Sequence, residues 1–215
     1  MVRPPVSAPL LSAEKITNHA LKLLDAGGLD GLSIRKQARD LGVSPKSLYY
    51  YFPTKEDLLW GVYERILEEL EVPELTDGTW QDRLTRLAHS LRHTMLRHAS
   101  FIGYYFQGHR VSTEELDVYE SIYSLLQQIG LPDEVITQYG SVLVIFLVGF
   151  CYAEINGNFA PDAFARRKAF AEQQPERFPL ARSLPMPQQG QTGDAFFQVA
   201  LGVILSGLEA CKKPV

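Results

Sequence analysis

Between Gly42 and Asp57 the chain reads GVSPKSLYYYFPTKED, and its hydrogen-bonding side chains fall at spacings that sort them by direction. At about 100° per residue along a helix, Leu48 and Phe52 share one face while Lys46 and Tyr50 point the opposite way. Ser47 and Tyr49 lie on the flanks. One cation, one hydroxyl and two phenols turned to solvent together suit a polyanion with readable edges. Lysine donates to phosphate or to guanine O6 and N7, and serine bonds base edges or phosphate. Tyrosine rings meet thymine methyls while their hydroxyls reach backbone oxygens. Arg35 upstream and Lys55 downstream are placed to flank the groove and hold phosphate, assisted by the amides at the helix starts. The residues alone do not divide base contacts from phosphate contacts. Tyr51, about 60° from the Leu48 direction, is equally open to a packing role.

The elements that must position this face are helices. Strand patterns are nearly absent, and apolar residues recur at three- and four-residue spacing in segment after segment. Ser12 caps a first helix carrying Ile16, Ala20, Leu23 and Leu24 inward, expected to stop at Gly27-Gly28. A second follows Ser33 and ends at Gly42, in the place of a C′ glycine. Gly42-Val43-Ser44-Pro45 is then a turn that closes one helix and opens the next, with Ser44 as cap and Pro45 at the first helical position. Val43 and Leu48 are spaced as a hydrophobic staple. Thr54-Lys55-Glu56-Asp57 reads as a capping box for a long fourth helix ended by Pro73. Further helices are expected over 80–98, 101–108, 112–129, 132–156 and 193–212. Residues 1–11 read as a flexible arm, 12–56 as a helix-turn-helix domain and 57–215 as a second helical domain. Within the latter, 160–192 begins helically and becomes a loop, expected to be mobile.

Composition limits what such a chain does. The 215 residues are 46% hydrophobic, which excludes disorder of the whole chain. Net charge is −4 but uneven: residues 1–65 hold nine Lys or Arg against seven Asp or Glu, and 66–215 hold twelve against eighteen. A weakly basic head on an acidic body keeps phosphate attraction local. Cys151 and Cys211 form no CxxC pair, so neither a disulfide framework nor a zinc cluster is indicated, and a reducing cytoplasm fits. The apolar run 142–153 is shorter than the roughly 20 residues that span a bilayer. No membrane partner is expected. GxSxG, HExxH, P-loop and GxGxxG patterns are absent, which argues against an enzyme. His89 and His93 stand at i and i+4, with His98 and His109 nearby, yet no carboxylate or thiol partner is evident in the sequence. They read as surface or core histidines, and no metal or other cofactor is expected.

From Leu32 to Leu59, LSIRKQARDLGVSPKSLYYYFPTKEDLL resembles the DNA-binding signature of the TetR family of repressors. The turn spacing combined with the LYYYF-x-x-K-x-x-LL tail makes the resemblance specific, and it extends over about residues 12–70. It implies an all-α homodimer with two helix-turn-helix heads on a helical ligand-binding and dimerisation body. It carries DNA contact onto Ser33, Arg35, Pro45, Lys46, Ser47, Tyr49, Tyr50, Tyr51 and Lys55, with Ser44 beside them. The body is more weakly similar to the tetracycline-repressor branch, through Thr79-Trp80-Gln81-Asp82, Gln127-Gln128-Ile129-Gly130 and Ser206-Gly207-Leu208-Glu209. Where that branch carries magnesium-binding histidines, this chain reads Glu69-Leu70-Glu71-Val72 and Tyr104-Tyr105-Phe106. A different, more apolar effector is therefore expected.

Two further sites follow. Residues 142–153 are apolar on every side, and the last helix offers Phe197, Leu201, Ile204, Leu205 and Leu208 beside small Gly202, Ser206 and Gly207. With Val142, Phe146 and Phe150 they make an expected four-helix dimer interface. Phe101, Tyr104, Tyr105, His109, Phe146 and Phe150 are the expected lining of an effector pocket. Core packing explains individual members of both sets equally well. The sequence thus predicts a repressor of palindromic operator DNA, released by a small apolar or aromatic molecule. An activator or a ligand-sequestering protein of the same fold is the alternative.

Overall fold

Side-chain caps set out the first helices of the computed structural model, which describes residues 11–74, 76–105, 110–185 and 193–212. Helix α1 (Ala13–Gly31) starts where the Ser12 hydroxyl accepts from the Lys15 amide at 3.1 Å. Helix α2 (Ile34–Asp40) is capped by Ser33, and α3 (Pro45–Tyr51) by Ser44 with Pro45 at its first position. Helix α4 (Lys55–Leu67) opens on a full capping box, in which Thr54 and Asp57 each accept from the other's amide at 3.0 Å. Each such cap contributes about 1 kcal/mol.

The ends are set by glycine. Gly42 takes φ +67°, its amide donates to the Arg39 carbonyl, and the Val43 amide reaches back to the Ala38 carbonyl at 2.9 Å. That pair of reversed bonds is a Schellman stop, and it turns the chain into α3 within three residues. Helix α1 behaves differently from expectation: it continues to Gly31 across a break at Gly28, φ +65°. A residue without Cβ enters the left-handed region at little cost and lets helical bonding resume beyond it.

Helix α5 (Trp80–Arg97) begins on a second Thr–Asp box, Thr79 with Asp82. A 3-10 turn (Ala99–Phe101) leads into α6 (Ile102–Tyr105), followed by α7 (Thr113–Gln128) and α8 (Asp133–Ile155). The stretch expected to begin helically and become loop opens on α9 (Pro161–Glu172) as expected, and then forms the short α10 (Pro179–Ser183) in place of loop, the two helices packing on each other. Residues 186–192 of that stretch lie outside the described residues. Helix α11 (Gly193–Ala210) closes the order, and among the described residues every regular element is helical.

The chain divides into two units. The first joins residues 11–70 to 97–116. The expected boundary after residue 56 therefore falls inside it, because α4 packs on α1 and turns Leu58, Val62 and Ile66 into the same core as Ile16, Leu24 and Leu48. Gln37 is wholly buried there and donates from Nε2 to the Ile16 carbonyl at 2.6 Å, tying α2 to α1.

The second unit holds residues 71–96 and the chain from 117 onward. Its central helix, α8, is long and apolar enough by composition to cross a bilayer, yet it buries Ile136, Leu143, Val144, Leu147 and Val148 in protein. Burial pushes the thiol of Cys151 up to about 12, so it packs as a small apolar group. Gly140 permits the α7–α8 approach: a Cβ there would meet the Tyr123 ring at 2.5 Å. Gly140→Ala is expected to destabilise this unit by about 1–2 kcal/mol through overpacking, outweighing alanine's better helix propensity. A urea titration of the variant checks the sign.

Candidate nucleic-acid interface

Helix α3 has one inward anchor. Leu48 is 1% exposed and is the only residue of the helix that is fully buried. The opposite face stands in solvent: Tyr50 is 84% exposed and Tyr49 47%, with Pro45 and Lys46 also exposed. Ser44 is exposed and Ser47 half-buried, and their hydroxyls lie 2.9 Å apart. Tyr51 is both exposed and tied to the protein. Its rim is exposed and meets Tyr50 edge-on at 5.3 Å, while its hydroxyl donates to the Leu11 carbonyl at 2.7 Å. Ser33 and Arg35 are exposed around the start of α2. Lys55 is exposed at the start of α4 and donates from Nζ to the Leu29 carbonyl at 3.2 Å.

Leaving one ring as large as Tyr50 almost bare costs the apolar surface its burial, which a protein recovers only on contact with something else. The face offers hydroxyls, one ammonium and flat apolar edges on a helix narrow enough for a groove about 12 Å wide.

Elsewhere the first unit is pinned by charge. The His98 ring is 5% exposed, with Nδ1 2.9 Å from Asp25 Oδ1 on α1 and Nε2 3.1 Å from Glu69 Oε2 just past α4. Ionised carboxylates only accept, so each bond needs a proton on the ring nitrogen that faces it. Arg97 donates to the same Glu69 oxygen at 3.0 Å. Burial pushes Glu69 up, but the bonds and charges of His98 and Arg97 prevail and hold it below its ordinary value. At the other end of α4, Arg110 donates to Asp57 Oδ1 at 2.8 Å. The carboxylates were missing from the sequence reading because they stand 73 and 29 residues from His98.

Two family models divide the chain between them. Residues 16–60 match bacterial regulatory proteins of the tetR family, and residues 72–211 match the tetracyclin repressor-like C-terminal domain. The chain belongs to the TetR family.

An HTH-type transcriptional regulator of Saccharopolyspora erythraea is 26% identical over 205 residues, covering 94% of this chain and 86% of that one. The HTH-type transcriptional repressor DrrR1 of Streptomyces coeruleorubidus is 31% identical over 126 residues, 58% of this chain and only 47% of that protein. Among solved structures, the TetR family protein ActR of Streptomyces coelicolor, in complex with (S)-DNPA, is 29% identical with a TM-score of 0.78. That alignment covers 95% of this chain and 100% of ActR. Membership makes this protein a transcriptional regulator with a DNA-binding helix-turn-helix, not an enzyme.

In the TetR-type body the other predicted residues separate. Phe101 and Tyr104 are buried in the first unit, where Phe101 stacks on Tyr63 at 6.4 Å. Phe146 and Phe150 belong to the second, so the expected effector set is divided between units. The Tyr105 side chain and His109 lie outside the described residues. Phe150 joins a run of rings: Phe159 stacks on it at 4.6 Å, Phe196 on Phe159 at 5.1 Å and Phe164 on Phe196 at 5.3 Å.

The expected dimer set needs correction. Phe150, Phe197 and Leu201 are buried within their own unit, so they form no partner surface. Ile204, Leu205 and Leu208 are half-buried, as is Phe146, while Val142 is 64% exposed. The open apolar face carries Val142, Ile145 and Tyr152 on α8 with Val199 and Val203 on α11. Residues 142–153 of α8 are apolar all round and α11 carries few polar residues, so periodicity could not pick the phase.

Proposed function

We propose that this chain is a ligand-responsive repressor that binds palindromic operator DNA as a homodimer and leaves it when a small apolar or aromatic molecule binds the body. The carrying observation is the α3 face: Lys46, Tyr49 and Tyr50 exposed on the side opposite buried Leu48. Ser33, Arg35, Ser44, Pro45, Ser47, Tyr51 and Lys55 complete the proposed contact set.

Dimerisation is supported by the spacing of the open apolar residues. Val142, Ile145, Gly149 and Tyr152 follow one another at three and four residues along α8, as a helix-packing seam requires. A groove of about 290 Å³ between α8 and α11 is lined by Val142, Phe146, Ile204 and Leu208 among others. Two-fold pairing gives the heads a function as a set, since recognition helices reach successive major grooves only about 34 Å apart.

ActR, solved with (S)-DNPA and with actinorhodin, supports a body that responds to ligand. Glu69 here is engaged by His98 and Arg97, which favours an effector held without a metal at that position. A hundredfold fall in operator occupancy needs only about 2.7 kcal/mol of differential affinity between two states of the dimer. The test is a small-molecule thermal-shift screen in which each stabilising hit is added to the protein bound to its palindrome. Release of the DNA is expected, and retardation itself should weaken steeply with salt. A tightly bound hit that leaves DNA affinity untouched would sink the ligand-responsive reading.

A further inference from the structure

Helix α11 carries part of the proposed dimer face but has few anchors of its own, since only Phe197 and Leu201 are fully buried along it. Apolar contact is non-directional, and two such residues do not fix how a helix is rotated or how far it slides. A directional tie is present beside them. Arg92 of α5 is 8% exposed and grips Glu154 of α8 with a two-pronged fork, Nε to Oε2 at 2.7 Å and Nη2 to Oε1 at 2.6 Å. Its remaining nitrogen, Nη1, donates to Asp194 Oδ1 at 2.5 Å in the first turn of α11. The guanidinium lies 5.0 Å from the Phe197 ring centroid. That ring is enclosed further by His89 at 5.1 Å and Phe150 at 5.2 Å. Gly193 sits so close to the Glu154 carboxyl that a Cβ would displace it.

One guanidinium therefore holds the two helices that bear the open seams, with a planar geometry that lysine cannot reproduce. We propose that Arg92 is the positioning residue of the dimer face: it sets the spacing of α8 and α11 that a second copy of this chain must meet. This rests on the homodimer reading above, and Arg92 itself touches no partner.

The test measures the dimer dissociation constant of the full chain by sedimentation equilibrium, with far-UV circular dichroism and urea titration on each variant. Arg92→Met is expected to weaken the dimer about tenfold or more while helicity persists. Arg92→Lys recovers part of the loss, and Asp194→Ala, which unties only α11, weakens the dimer less. The deciding variant is Arg92→Met with Glu154→Met. Exchanging a whole buried ion pair for apolar groups restores stability, but α11 stays untied and the dimer stays weak. If dimer affinity returned along with stability, Arg92 would be a core residue only and the proposal overturned. It is equally overturned if Arg92→Lys and Asp194→Ala both dimerise as the parent does, a comparison that holds even if Arg92→Met fails to fold. Val203→Asp separates the two readings. A monomeric Val203→Asp beside normal Arg92 variants removes the positioning role alone, whereas a fully dimeric Val203→Asp removes the dimer face.

Discussion

Lys46→Ala and Tyr50→Ala should each weaken operator binding by about tenfold to a hundredfold, with helicity and thermal midpoint unchanged. Stability is spared because both side chains project away from the core that Leu48 anchors. The cost on DNA comes from losing either a charge-assisted bond or a base-edge contact, each about 1–3 kcal/mol. Salt dependence then divides the roles that sequence and geometry leave together. A lysine on phosphate releases about one counterion, so its removal lowers the slope of log affinity against log salt by about 0.9. A lysine on guanine leaves the slope nearly unchanged and instead relaxes preference at one base pair. Unaltered retardation of the cognate fragment by both variants would remove α3 as the reading helix.

His98→Ala should destabilise the first unit by about 2–3 kcal/mol, because it withdraws a donor from two carboxylates at once. Asp25 and Glu69 are left facing each other's charge on α1 and beyond α4. Acid should act on the same joint. Glu69 is held below its ordinary 4.5 by His98 and Arg97, against the opposing push of burial. A carboxylate whose value is lowered by folding contributes stability above its unfolded value, and that contribution disappears as pH falls through the folded one. Denaturant midpoints of the parent should therefore hold from pH 6 down to about 5 and fall as the pH passes below the ordinary 4.5. In the alanine variant this acid-side loss should be shallower. Equal slopes in the two proteins would show that His98 does not hold Glu69.

Local chemistry made the N-terminal helices legible. Ser12, Ser33, Ser44 and Thr54 each cap the helix expected of them, because a cap depends on residues three apart and little else. Gly42 ends α2 for the same reason. The outward set of α3 followed from one buried leucine and helical geometry. What stayed hidden depends on contacts distant in sequence. Nothing in the spacing announces that Arg92 meets Glu154 and Asp194, 62 and 102 residues away. Val199 and Val203, rather than Phe197 and Leu201, face outward on α11, where the rings and the Arg92 guanidinium that enclose Phe197 come from far along the chain. Gly28 ended the expected helix on propensity, whereas the chain spends a single left-handed residue and continues.

The first unit is stitched from two separate stretches, 11–70 and 97–116, and its buried histidine comes from the later one. A fragment cut after residue 70 would lack His98, Phe101 and Arg110. Transplanting operator preference between relatives therefore calls for a discontinuous graft, with both stretches taken from the same donor. A simple N-terminal swap would seat a borrowed head on unmatched ionic fasteners and yield a chimera whose weakness is mechanical rather than a fault in base recognition.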